Sequence, residues 1–183
     1  MIATNDGFSF VYLNRPVTKE GIWEQIEPYR NTDFRDLHWN VWIGGTFLYP
    51  SKIGDLIGVG YDDFPRTGDR YVKESFEALL AKGINPLKTA IEYTHKVGLK
   101  FHAALRMGHW AMTTPMDYAT GKFFREHPQW RCVDKEGTPI STLSYAYPEV
   151  RAYIISILKE VVRYGVDGVS LMFTRQPPFL LYE

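Results

Sequence analysis

Apolar residues recur along this chain at two spacings, which together predict strands alternating with helices. Short segments rich in apolar residues at 8–13, 37–43, 99–106 and 166–173 predict four strands. Between these runs, apolar positions three and four residues apart predict amphipathic helices. Strands that alternate with helices favour an α/β fold with parallel strands joined by right-handed crossovers.

Residues that start and stop helices bracket the two clearest helical segments. Asn85 followed by Pro86 is typical of a helix start, and Gly98 ends the same helix. The second segment begins at Pro148 and ends at Gly165. Two further helices are predicted to begin near Thr18 and Asp69.

The predicted connections differ in length at the two ends of the strands. Helix-to-strand connections are almost absent, whereas residues 44–68 and 107–147 form long connections after strands. Long loops at the carboxyl ends of parallel strands carry the active sites of (β/α)8 barrels. An open doubly wound sheet also binds its ligands at that end. We favour the barrel, with its functional site at the strand ends.

The chain is short for a complete barrel. Four strands are half of the eight in a TIM (β/α)8 barrel, and 183 residues compare with roughly 250 for the whole fold. We therefore interpret residues 1–183 as a single partial domain, the first half of a parallel (β/α) barrel. If the natural chain ends at Glu183, a homodimer that closes the barrel is the alternative.

Composition and charge exclude several classes of function. Twenty-one basic and twenty-one acidic residues cancel, and no Lys/Arg block indicates a nucleic-acid or anionic membrane partner. No apolar run has the length of a membrane span. Cys132 is the single cysteine, and the five histidines lack zinc-ligand spacing. We expect no metal and no cofactor.

Three segments carry motifs in a characteristic order. Residues 95–103 contain His-Lys-Val-Gly-Leu followed by His-Ala, and residues 127–137 contain His-Pro-Gln-Trp and Asp-Lys-Glu-Gly. Residues 148–169 contain Pro-Glu-Val-Arg and Tyr-Gly-Val-Asp-Gly-Val. Together they resemble the glycoside-hydrolase-like TIM barrels, also called family-10 glycosidase-like proteins.

The resemblance implies a carbohydrate-active protein. It implies hydrolysis of glycosidic bonds in an oligo- or polysaccharide by carboxylate acid/base catalysis, with this chain supplying part of the site. It also suggests a secreted or periplasmic protein, although residues 1–7 lack the features of a signal peptide and leave the localisation unknown.

One position departs from the family pattern. Relatives read Leu-Asp-(Asp/Tyr)-x-Arg-(Tyr/Phe)-Pro, where this chain has Leu-Met-Phe-Thr-Arg-Gln-Pro at residues 171–177. Arg175 matches and is predicted to face the ligand at the barrel mouth, but Met172 replaces the acid. A non-catalytic carbohydrate-binding barrel is therefore the alternative function.

Candidate site residues follow from strand alternation and from the strand ends. Ser170 and Met172 are expected to point into the barrel, with Val169, Leu171 and Phe173 packed against helices. Glycosidases need two facing carboxyl groups, and Glu183 is the candidate catalytic acid, although a solvated role is equally open. Hydrogen bonds to sugar hydroxyls are predicted from Asn14, Arg15 and Arg106, and sugar stacking from Trp42 and Trp110. The resemblance implies that His102, in the family's His-Ala pair, also lines the site.

Overall fold

A parallel sheet, whose strand order follows the chain, forms the centre of the molecule. The strands are β1 (Ile2–Asn5), β2 (Asp36–Ile43), β3 (Thr46–Phe47), β4 (Lys100–Arg106), β5 (Arg131–Val133), β6 (Pro139–Leu143) and β7 (Gly168–Met172). The parallel strands pair in the order β1-β2-β4-β7, while β3 pairs antiparallel with β2, and β5 pairs with β6 in a separate ribbon. The computed structural model describes residues 1–13, 15–108 and 110–173.

Six α-helices accompany the sheet in this part of the chain. They are α1 (Phe10–Leu13), α2 (Lys19–Glu24), α3 (Thr67–Ala81), α4 (Pro86–Lys96), α5 (Lys122–Glu126) and α6 (Pro148–Val162). Helices α2, α3 with α4, and α6 lie in the crossovers between successive parallel strands. None of the helices described here combines the length and hydropathy that a bilayer span requires. The order of elements is that of a section of a (β/α) barrel.

The later elements confirm the sequence predictions, and the first strand does not. Strands β2, β4 and β7 lie where the apolar runs predicted them, and the Asn85 side chain caps α4 by accepting from the Lys88 amide at 3.1 Å. The prediction of a strand at residues 8–13 was wrong, because this run contains helix α1 and the first strand is β1. A short apolar run does not distinguish a buried strand from a buried helical turn.

The two faces of the sheet differ in chemistry. Ala3, Leu37 and Phe101 share one register position and are buried in a core that also contains Ile22 of α2 and Ile91 of α4. Neighbouring residues in a strand point to opposite faces. The other face carries polar groups at matching register positions, among them Asp36, His38, Asn40, His102 and Arg106. This polar face corresponds to the inside of a barrel.

In β7, the structure confirms the predicted direction of the inner-facing side chains but not the predicted packing of the outer-facing ones. Ser170 and Met172 pair with Ala104 and Arg106, so they share the inner face as predicted. Val169 and Leu171, by contrast, are 41% and 43% exposed, so the expectation that they pack against helices was wrong for the described residues. Phe173 is 39% exposed as well. The reason is that β7 is the edge strand of the described sheet.

A partly buried hydrogen-bond network anchors residues 49–52 to helix α6. The Glu160 carboxylate accepts from the Tyr49 hydroxyl at 2.8 Å, from the Ser51 hydroxyl at 2.6 Å and from the Lys52 amide at 2.8 Å. Burial raises the pKa of the Tyr49 phenol far above its ordinary value, with the neighbouring carboxylate adding to the effect. Tyr49 therefore remains a neutral donor, and the loop has a defined path along α6.

Asp167 links α4 to the amino-terminal ends of β4 and β7. Its carboxylate accepts from the Phe101 amide at 2.8 Å and lies 2.7 Å from His95 Nε2. Partial burial opposes ionisation, but these hydrogen bonds outweigh it, and the pKa of Asp167 falls below its ordinary value. This end of a barrel usually serves stability, and the Asp167 contacts join β4 and α4 there.

Gly168 permits the close pairing of β7 with β4. A Cβ at this position would lie 2.6 Å from Nδ1 and 2.7 Å from Cε1 of the His102 ring. We expect Gly168→Ala to lower the free energy of unfolding by about 1–3 kcal/mol, because the imidazole must move. Denaturant unfolding measures this loss. In a His102→Ala background the loss should largely vanish; an equal loss in both backgrounds would show that the contact is not its cause.

Candidate functional site

Three polar side chains meet at the carboxyl ends of β1, β2 and β4. Arg106, which is 4% exposed, donates from Nη2 to Oδ1 of Asp6 in an ion pair. With the Asn40 amide oriented to satisfy its neighbours, Arg106 Nε donates to Asn40 Oδ1 at 2.9 Å. In that orientation the Asn40 nitrogen donates to the carbonyls of Ala104 at 3.0 Å and Trp42 at 3.1 Å. One guanidinium therefore connects three adjacent strand ends.

A tight turn holds Asp6 over the end of the sheet. The Asn5 side chain accepts from the Gly7 amide at 2.8 Å, which closes an Asx turn directly after β1. Gly7 has φ +78°, and a Cβ there would lie 2.0 Å from the Asn40 carbonyl oxygen. Glycine is thus required for the backbone to approach β2 so closely. This approach brings the Asp6 carboxylate within reach of Arg106.

An irregularity in β2 changes the direction of the side chains that follow Asn40. The pairing of β2 with β4 shifts register between Asn40 and Trp42. Such a bulge re-aims the side chains that follow it. Asn40 stays on the polar inner face, level with Ala104, while Trp42 is fully buried.

The buried charge of Arg106 is compensated by its two neighbours. Burying a guanidinium is costly unless it is paired and hydrogen-bonded, and Asp6 and Asn40 supply that compensation. The Asp6 side chain itself is 42% exposed. A fixed cation therefore lies beneath an accessible carboxylate, an arrangement that can accept hydrogen bonds from ligand hydroxyl groups.

Arg106 is the sequence-predicted residue at the centre of this site, whereas His102 lies nearer the amino-terminal end of β4. The His102 ring stacks on His38 with centroids 4.9 Å apart, and its Nε2 lies 3.3 Å from Asp36 Oδ1. Burial lowers the pKa of His38, and neighbouring His102 lowers it further against the opposite effect of Asp36. His102 faces the barrel interior but forms a separate cluster.

The two tryptophans predicted to stack on sugars are core residues. Trp42 and Trp110 are both 0% exposed, and their rings contact each other edge to face with centroids 5.0 Å apart. Because neither ring presents an open face, the stacking prediction was wrong for this structure. The long loop after β4 folds back over the sheet and brings Trp110 against Trp42.

Arg15 also lies apart from Arg106. Its guanidinium carbon sits 3.1 Å from the centroid of the Tyr71 ring, and Nη2 lies 3.6 Å from Glu74 Oε2. Both partners belong to helix α3, so Arg15 is not part of the Arg106 group, and its role in binding substrate stays a prediction. Arg15 lies in the connection after α1, and its side chain packs on the surface of α3.

Three predicted site residues, Asn14, Arg175 and Glu183, lie outside the described residues. Met172, at the position of the family acid, lies beside Arg106 in the sheet register and is partly buried. Within the described ranges, no group of three or more His, Cys, Asp or Glu side chains could hold a metal ion.

Sequence reasoning missed Asp6 and Asn40. Asp6 was missed because the first strand was assigned to residues 8–13, so residues 2–5 were not read as a strand whose end could carry a site residue. The signal was present as Asn5-Asp6-Gly7, a turn sequence directly after the short run Ile2–Asn5. Asn40 was missed because a polar residue within a strand gives no sign of which neighbouring strand supplies its hydrogen-bond partner.

Comparisons with known proteins identify the family and the fold of this chain. Residues 1–175 match the family described as Glycosyl hydrolase-like 10. Comparison with curated protein sequences gives no match. Similar solved structures include the noncanonic maltogenic alpha-amylase AmyB from Thermotoga neapolitana (TM-score 0.53, 14% identity), alpha-L-fucosidase isoenzyme 2 from Paenibacillus thiaminolyticus (0.56, 18%) and an alpha-amylase from Lactobacillus plantarum (0.53, 18%).

The structural matches cover nearly all of this chain but less than half of each known chain. They cover 97%, 98% and 97% of this chain but 39%, 24% and 39% of the respective known chains. At these identities the likeness concerns the fold. The chain therefore has the fold of part of a TIM-barrel glycosidase domain.

Proposed function

This chain belongs to the glycosyl hydrolase-like 10 family, and on that premise we propose that it forms part of a carbohydrate-active barrel that hydrolyses glycosidic bonds. The substrate in this proposal is an oligo- or polysaccharide bound at the carboxyl ends of the strands. The observation that carries the proposal is the buried Arg106, which holds Asn40 and the accessible Asp6 carboxylate on the inner face.

Each residue of this group has a distinct role in the proposal. Arg106 donates to Asp6, so the Asp6 carboxylate acts as an acceptor for substrate hydroxyl groups or for the proton of an attacking water. Asn40 holds the guanidinium in one orientation and thereby holds Asp6. Glycoside hydrolysis requires a second carboxyl group facing the first, and Glu183 remains the candidate in this chain. Met172 offers an apolar surface beside Arg106 for the carbon face of a sugar ring.

A non-catalytic carbohydrate-binding barrel is the second candidate. The observation that favours it is Met172, which stands at the family's acidic position and pairs in register with Arg106. A thioether can neither donate nor accept the proton that glycoside cleavage moves. In this alternative the same Arg106 group binds sugar hydroxyls without turnover.

The substitution Asp6→Asn tests both candidates. We expect reducing-sugar release from a panel of polysaccharides to fall by roughly 10²–10⁴-fold, because the amide cannot take up a proton. Affinity for the same glycans is measured in parallel. Binding without turnover by the parent protein selects the second candidate, and Asp6→Asn should then weaken that binding.

The matched control is Glu77→Gln, which removes an exposed carboxylate on α3. It should leave release and affinity unchanged. If Asp6→Asn behaved like this control in both assays, the proposed site would be wrong.

A further inference from the structure

A groove of about 370 Å³ lies on the helical layer, apart from the Arg106 group. Its walls are the loop after β2 and helix α5, and Tyr153 from the middle of α6 forms part of its floor. None of its lining residues belongs to the site at the strand ends. The groove is therefore a separate feature of the surface.

The floor of the groove is aromatic and ends in an accessible hydroxyl. The rings of Phe123 and Tyr153 stack with centroids 3.7 Å apart and planes at 7°, and Trp110 backs both rings at 6.0 Å. Burial raises the pKa of Tyr153 far above its ordinary value, so the phenol is neutral. Within the described part of the chain, its hydroxyl forms no hydrogen bond.

Because Gly54 has no side chain, the Tyr153 hydroxyl remains accessible from the groove. A Cβ on Gly54 would lie 3.0 Å from the Tyr153 oxygen and 2.7 Å from the Phe47 ring. The wall that carries Gly54 is also held in place, since the neighbouring Lys52 amide donates to Glu160 at 2.8 Å. The Tyr153 hydroxyl, which has no hydrogen bond among the described residues, therefore faces the groove.

The charges on the walls balance. Lys52 and Asp55 line one side, and Lys122 and Glu126 line the other, with 3.6 Å between Lys122 Nζ and Glu126 Oε1. Two cations and two anions give the groove no net attraction for an ionic ligand. They supply donors and acceptors together, which suits a ligand that carries many neutral hydroxyl groups.

We propose that this groove is a second carbohydrate-binding site, which takes a neutral linear oligosaccharide over the Phe123–Tyr153 floor. The choice of carbohydrate among neutral polyhydroxylated ligands rests on the proposed function. The location rests on the groove itself. A polysaccharide held here would remain attached to the protein while another part of it occupies the strand ends.

Amide NMR titration with neutral malto-, cello-, xylo- and mannooligosaccharides tests the proposal. We expect shifts at residues 51–55 and 122–126 that persist in Asp6→Asn. Tyr153→Phe removes one hydroxyl and should weaken affinity at these residues roughly threefold to tenfold, the worth of one hydrogen bond. Tyr71→Phe, which removes a hydroxyl on α3, is the matched control and should change nothing.

The outcomes separate this inference from the proposed function. Shifts in the groove with no binding or turnover at Asp6 support the second site and contradict the first. Binding at Asp6 with no shift in the groove overturns the second site alone, and no binding at either place overturns both. Unchanged affinity in Tyr153→Phe, or tighter binding of an anionic oligogalacturonate, also overturns the inference.

Discussion

Arg106→Lys is expected to reduce carbohydrate turnover or affinity by about 10²-fold and to lower the free energy of unfolding by roughly 1.5–3 kcal/mol. The ammonium group keeps the charge but lacks the planar fork that donates to Asn40 and Asp6 at once. The Asn40 oxygen would lose a donor in a buried place, and Asp6 would lose its fixed position. Glycan assays and denaturant unfolding measure the two losses.

Arg70→Lys is the control for this substitution. Arg70 lies on α3, is exposed, and pairs with Glu74 at 3.3 Å. Surface pairs of this kind contribute little to stability. If Arg106→Lys and Arg70→Lys changed glycan turnover or affinity and the free energy of unfolding equally, the buried guanidinium would not organise the site.

Trp110→Ala is expected to cost about 3–5 kcal/mol of unfolding free energy, the largest effect on stability that we predict. Trp110 is fully buried and its ring contacts those of Trp42, Phe123, Tyr145 and Tyr153. Its loss leaves a cavity between the sheet and the loop after β4. Urea unfolding measures the change, and Trp110→Phe should lose less because part of the ring volume remains.

Trp23→Ala serves as the comparison, since Trp23 is partly exposed and stacks on Tyr93 at the surface. It should cost less than Trp110→Ala. If Trp110→Ala instead weakened glycan binding with unchanged stability, Trp110 would be a sugar-stacking residue, as the sequence suggested.

Local signals explain which elements were predictable. Helix α4 begins at Asn85–Pro86 and uses the predicted cap. Strands β4 and β7 follow helices that end at glycine, so apolar periodicity and turn residues together located them. The strand at Ile2–Asn5 lacked such signals, because four residues with two exposed side chains carry little hydrophobic pattern.

The candidate site was also only partly predictable from the sequence. Arg106 was predictable as a charged residue at the end of an apolar strand. Its partners were not, because Asp6 and Asn40 lie 100 and 66 positions away in the chain and meet it through strand pairing. The burial of Trp42 and Trp110 likewise depends on the path of a long loop, which local sequence does not specify.

The sequence by itself determined the parallel α/β class, the polarity that puts functional residues at the strand ends, and the family resemblance. It could do so because helix periods, caps and motifs act over a few residues. The tertiary structure alone decided that Asp6, Asn40 and Arg106 form one group, that the tryptophans are core, and that Tyr153 faces a groove. Those outcomes depend on register, a bulge and loop packing, which are set by contacts between residues distant in the chain.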